Sequence, residues 1–271
     1  MPGLLSKIWM EVRWAVLWFS LGLAAVMALL TALLPRVLGD IHHTFERLPM
    51  VRPLITALLG VDPGDRISAE LSQAFLWVHP TVLTLIWAHE TMYCTRTPAG
   101  EIDRGTADFL FCLPVSRWSL YLSETIGWIV SGSVMLLVGF TGHWISSVVF
   151  PSDMRLSLSS ALMVLSNLSD VYLAVGGFAF LVSSISDRRG RAMGLVFAVL
   201  LASFLLNFLA QFTDWARAAA PYLSVMEYYR PAIIIQSGEF PVRDVLSLTG
   251  LAAVLWTTGG VVFHRRSICT V

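Results

Sequence analysis

The sequence predicts an all-α protein that crosses a membrane six times. Three observations lead there. Of 271 residues, 56% are hydrophobic and only 13% charged, where soluble domains carry about 25% charged residues. The mean hydropathy is +0.72. Six apolar runs each reach the ~20 residues that a helix needs to cross a ~30 Å hydrocarbon core. In lipid only helices or closed barrels satisfy the backbone internally, and these runs are too long and continuous for alternating barrel strands.

The first span is expected over Trp14–Leu34, stopped by Pro35. Lys7 and Arg13 precede it, but no small-residue cleavage site follows, so it reads as a retained anchor. Ahead of it, Leu4, Leu5, Ile8, Trp9 and Val12 share one helical face. Two readings fit: a separate interfacial helix lying on the membrane, or the start of span one. The second span is expected over Leu71–His89, ending at Glu90 and kinked at His79-Pro80. The third is expected over Leu120–Trp144 and the fourth over Leu156–Ile185, which is unusually long. The fifth covers Ala192–Phe212, and the sixth covers Val245–Phe263, stopped by His264, Arg265 and Arg266. Between the last two, Tyr222, Tyr228 and Tyr229 suit a membrane interface. Ile233-Ile234-Ile235 then forms a short re-entrant or interfacial helix closed by Gly238 and Pro241.

Six spans put both termini on one side. The tight loop Asp187-Arg188-Arg189-Gly190-Arg191 and the tail His264-Arg265-Arg266 concentrate basic charge there. Basic residues in short loops mark the cytoplasmic side, so both termini are expected in the cytoplasm. The zero formal net charge gives no electrostatic support for a nucleic-acid partner. Cys94, Cys112 and Cys269 show no metal spacing and read as small apolar side chains.

The informative stretch lies between spans two and three, Glu101 to Arg117. Gly105-Thr106 can start a short helix with Thr106 as N-cap and Asp108 in its first turn. Phe109, Leu110 and Leu113 give it an apolar face, Pro114 ends it, and Ser116 starts the next helix, with Arg117 and Trp118 at the membrane edge. Glu101, Asp103 and Arg104 read as a polar rim around an apolar knob, the anatomy of a docking surface.

The order Glu101, Gly105-Thr106, then Leu113-Pro114-Val115-Ser116-Arg117 resembles the cytoplasmic coupling region of ABC-2 type transporter permeases. Glu90 matches an acidic position common there, and the tail Phe263-His264-Arg265-Arg266 matches the family's ending. Glu124 departs from it, standing where a basic residue is frequent, as does Ser267 in place of an acidic stop. The resemblance implies six spans, an N-terminal interfacial helix and an outer helical hairpin between spans five and six. It implies a permease that works in the cytoplasmic membrane as a homodimer, or with a related permease, alongside ABC-type ATPase subunits. Glu101, Arg104, Gly105, Thr106, Asp108, Phe109, Leu110, Leu113, Pro114 and Arg117 would couple the two. No cofactor or metal is expected on this chain; ATP and Mg belong to the partner.

Chemistry agrees with that division. A Walker A loop needs a lysine for the phosphates, and the only lysine, Lys7, has no glycine loop before it. Ser131-Gly132-Ser133 and His143 lack a nameable oxyanion donor, and HExxH is absent. An enzyme is therefore not expected. The rival readings are an ATPase-independent carrier or channel, which predicts inverted symmetry, and a membrane anchor without transport. Three polar groups are candidates within the membrane: Glu90, Asp170 and Asn207. Asp170 lies either on a substrate or gating path or at the outer edge of a shorter span four. Asn207 reads as an interhelical hydrogen-bonding group, and His143 as a membrane-interface residue.

Overall fold

A computed structural model describes residues 2–39, 51–61, 69–112, 114–149 and 155–267. Every regular element among them is helical. Six helical stretches are long and apolar enough to cross a bilayer: Gly3–Pro35, Leu71–Cys94, Arg117–Ser147, Leu158–Ile185, Arg189–Leu209 and Val242–Arg265. The protein is thus an all-α, multi-pass membrane protein.

Helix α1 (Pro2–Gly39) is one uninterrupted helix. Its 38 residues at about 1.5 Å each span about 57 Å, well beyond a bilayer core. The expected separate interfacial helix is not formed. Leu4, Ile8, Val12 and Val16 are all buried and lead into Leu23 and Met27, so a continuous four-residue stripe keeps the first turns on the bundle. Pro35 does not stop the helix as expected but sits inside it, one turn before the end. A short helix, α2 (Val51–Leu59), follows.

The second span is α3 (Ala69–Val78) and α4 (Pro80–Cys94), interrupted at His79. His79 is extended at the break, and its Nδ1 accepts the Thr81 amide at 3.3 Å, capping the helix that Pro80 begins. Because α4 runs on to Cys94, Glu90 lies inside the span rather than at its end. After a wide turn over Arg96–Gly100 and one helical turn at Glu101–Asp103 comes α5 (Ala107–Phe111). Then come α6 (Arg117–Ser147) and α7 (Leu158–Ile185). Ser116 and Ser157 cap them, accepting the Ser119 and Ser160 amides at 3.0 Å each. Helix α8 (Arg189–Leu209) is followed by two short helices, α9 (Asp214–Leu223) and α10 (Pro231–Ser237). Gly238, with φ +66°, ends the second of these. The last span is α11 (Val242–Arg265).

Two parallel helix pairs organise the bundle. Helix α1 lies along α6, and α7 along α11, with α4 between them. Small residues set the approach: a Cβ at Gly142 would meet the Ala24 carbonyl oxygen at 2.3 Å, and one at Gly177 the Ala252 carbonyl oxygen at 2.8 Å. Such contacts bring helices together where burial of apolar surface gives no drive. His143, expected at the interface, is fully buried and pairs through Nδ1 with the Thr31 hydroxyl at 2.8 Å. Helix α10 packs on α3 and α7. The Tyr229 hydroxyl just ahead of it donates to the Trp77 carbonyl at 3.0 Å, so this loop enters the bundle rather than lying on it.

Candidate functional site

The start of α1 and the end of α11 share one face, the terminal face, where Lys7 salt-bridges Glu101 at 3.7 Å and Arg266 donates to the Ser184 carbonyl at 2.8 Å. The segment between the second and third spans occupies this face. Its foundation is Arg96, 8% exposed. The guanidinium bonds Glu11 of α1 through one nitrogen and Glu124 of α6 through the other. Thr97 adds a hydrogen bond to Glu124 at 3.2 Å, and the Tyr93 ring lies 5.3 Å from the guanidinium carbon. Burial works against the charge of Arg96, but Glu124 and Glu11 outweigh it and hold the group above its ordinary range. Three spans are thereby pinned together at one charge. Glu124, the departure from the family pattern, is the buried partner of this arginine.

Glu101 is the second post, and it corrects the reading of a polar rim. It is buried. It accepts from Arg104 at 2.8 Å and from the Thr106 hydroxyl. Thr106 stands at the N-cap position of α5, yet its hydroxyl turns to Glu101 instead of capping the helix. Gly105, with φ +69°, makes the turn between them, a conformation glycine adopts without a Cβ penalty. Asp103, by contrast, is exposed and accepts the Arg189 amide at 3.3 Å. Arg189 also donates to the Met92 carbonyl at 2.8 Å, tying the fourth-to-fifth-span loop to the same segment.

On this base α5 presents a single knob. Leu110 is 6% exposed and Phe109 79%, so of the apolar face Leu110 faces inward and Phe109 outward; Leu113 lies outside the described residues. Phe111 packs on Phe263 at 6.1 Å, with the Arg117 guanidinium 5.1 Å from its ring. Arg117 in turn donates to the Phe263 carbonyl at 3.1 Å, so α5 is fixed to the end of α11. Asp108, Cys112 and Pro114 are exposed alongside. A concavity of about 480 Å³ opens beside the knob, lined by Lys7, Glu11, Glu101, Arg104, Thr106, Phe109 and Leu110.

Within the membrane the candidates separate. Glu90 is fully buried, and neither carboxylate oxygen has a hydrogen-bond partner among the described residues. Next to it His89, also fully buried, pairs through Nδ1 with the Tyr172 hydroxyl at 3.3 Å. Tyr172 stacks on Trp128 at 5.4 Å. Asp170 is half-buried and accepts from the Thr249 hydroxyl of α11 at 3.0 Å. Helix α7 begins twelve residues before it, at Leu158, so a span starting near Val171 is not what forms. Asn207 is half-buried, and its side chain makes no interhelical hydrogen bond among the described residues. The structure gathers the described candidates of the 101–117 segment at one end of the bundle and leaves Glu90, Asp170 and Asn207 apart from them. Arg96, Glu11, Glu124 and Arg189 carry the site without having been singled out as site residues. The one signal available was Arg96 so close to the end of an apolar run.

Residues 5–264 match the family model described as multidrug efflux system permease Rv1217c, C-terminal domain. The chain belongs to that family. It is therefore a transporter permease. No curated protein and no solved structure matches the chain.

Proposed function

We propose that this chain is the membrane-spanning subunit of an ABC-2 type exporter. ATP and Mg bind a separate ATPase subunit, and two permease copies enclose the path of a drug-like amphipathic substrate. The observation that carries this is Phe109: a large apolar side chain, 79% exposed, on a five-residue helix braced by ion pairs to α1 and by packing on α11. An exposed aromatic on a rigid mount beside a concavity is the anatomy of a binding hot spot. The chain's permease family and the resemblance of Glu101–Arg117 to a coupling region support an ATPase as its occupant. The terminal face would then be cytoplasmic, and the cell's inner membrane the site of action. Helix α8 buries only a narrow stripe, Ala192, Val196, Leu200 and Ser203, which leaves an apolar flank for lipid or a second copy.

The test is co-purification of the full chain with a candidate ABC-type ATPase co-expressed from the same organism. Phe109→Asp should abolish association while the permease elutes and melts as the wild type does. Leu110→Asp is unsuitable, because Leu110 is buried and its loss tests folding. Association unaffected by Phe109→Asp would overturn the docking role. Export of a dye by the chain without any ATPase would point to a carrier instead.

A further inference from the structure

A groove of about 290 Å³ opens on the flank of the bundle where α6, α7 and α11 meet, close to the ~300 Å³ at which drug-sized pockets begin. Thr125, Trp128 and Ile129 form one wall, Leu173 the floor, and Thr249 and Trp256 the other wall. The positions on α6 and on α11 recur at three- and four-residue spacing, so each of these two helices gives one face to the groove. The walls are set in place. The Trp256 indole N–H donates to the Thr125 hydroxyl at 2.9 Å, and the Trp256 carbonyl accepts from Tyr121 at 2.8 Å. Trp128 is fixed by its stacking on Tyr172, and its own indole N–H has no partner among the described residues.

Thr249 belongs both to the groove and to Asp170, whose carboxylate it binds at 3.0 Å. The carboxylate is therefore one hydrogen bond away from the groove's lining, on the helix turn before the lining residue Leu173. Asp170 lies fifteen residues before the end of α7 at Ile185, about 22 Å along the helix from the terminal face, inside the apolar layer. An ionised group there costs about 2.5–3.5 kcal/mol on insertion scales, so it ordinarily has a counter-charge. No basic side chain pairs with Asp170 among the described residues, and none lines the groove. A hydroxyl donor orients the carboxylate without neutralising it.

We propose that this groove binds a hydrophobic organic monocation, with the positive charge on Asp170 and the apolar body against Trp128 and Trp256. The ligand's positive charge supplies the counter-charge that Asp170 lacks, and indole rings are the aromatic surface that cations favour most. This rests on the permease reading and names the substrate class it would carry.

The test measures binding of radiolabelled tetraphenylphosphonium to the purified full chain in lipid nanodiscs, with uncharged triphenylphosphine oxide as competitor. Saturable binding is expected in the wild type. Asp170→Asn, which keeps the Thr249 hydrogen bond, should raise the dissociation constant on the order of tenfold or more. Asp170→Glu should retain binding, and Ala253→Trp, which fills the groove, should abolish it. The neutral phosphine oxide should compete weakly and equally in wild type and Asp170→Asn. Equal affinity of wild type and Asp170→Asn, or no saturable binding above empty nanodiscs, overturns the proposal. No ATPase is present in the assay, so cation binding can stand if ATPase association fails, and can fail while that association stands.

Discussion

Arg96 and Glu124 pair with both side chains withdrawn from solvent, 9% and 5% exposed, and the pair joins the end of the second span to the third. Removing one partner leaves a bare charge in a low-dielectric site. Arg96→Gln is expected to destabilise the chain by about 3–5 kcal/mol, and Glu124→Gln comparably. The double variant should lose less than the sum, since neither leaves a stranded charge. Chemical denaturation in detergent, read by tryptophan fluorescence, gives the cycle; additive losses would mean the pair is not coupled.

Glycine contacts between parallel helices make a second expectation. A Cβ on Gly142 meets the Ala24 backbone, which cannot move aside without shifting α1. Gly142→Ala should cost about 1–3 kcal/mol through overpacking. Gly194 has nothing within 4 Å, so Gly194→Ala should be neutral or stabilise by up to about 1 kcal/mol through helix propensity. Thermal unfolding of the two variants side by side checks the contrast.

Glu101 gathers Lys7, Arg104 and Thr106. Charge-assisted hydrogen bonds contribute about 1.5–3 kcal/mol each. Glu101→Ala should accordingly speed amide exchange across residues 104–112 by about tenfold or more, while α6 and α7 keep their protection. Hydrogen–deuterium exchange with peptide readout decides it. Uniform acceleration would show that Glu101 supports the whole fold rather than this segment.

Two described cysteines differ sharply: Cys94 is buried and Cys112 exposed. In a Cys269→Ser background, a membrane-impermeant maleimide should label Cys112 and spare Cys94. If the terminal face is cytoplasmic, labelling appears in inside-out vesicles and not in intact cells. The reverse pattern would remove the ATPase from reach of Phe109.

The spans were legible because each is a long apolar run, and backbone satisfaction in lipid leaves helices as the outcome. Their ends were less so: α4 runs five residues beyond the expected His89, because the bundle buries Glu90, Thr91, Tyr93 and Cys94 where hydropathy alone signals an exit. The knob at Phe109 could be anticipated from local apolar spacing and Pro114. Its mount could not. Arg96 and Glu11 are 85 residues apart, and Lys7 and Glu101 lie still farther from each other in sequence; nothing local marks such pairs. Asn207 shows the converse, a polar residue whose type suggested a bond that its helix face does not supply.

Helix α1 is held at both extremities by different forces. Far from the terminal face, Ala24 packs backbone-close on Gly142, Ala28 accepts from Ser146 at 2.8 Å, and Thr31 meets His143. Near it, Leu4, Ile8, Val12 and Val16 stay buried, and Lys7 and Glu11 add ion pairs to the turn that follows the second span. A load applied to that turn therefore reaches a rod clamped along its whole length, which would pass it across the bilayer instead of absorbing it in a local bend.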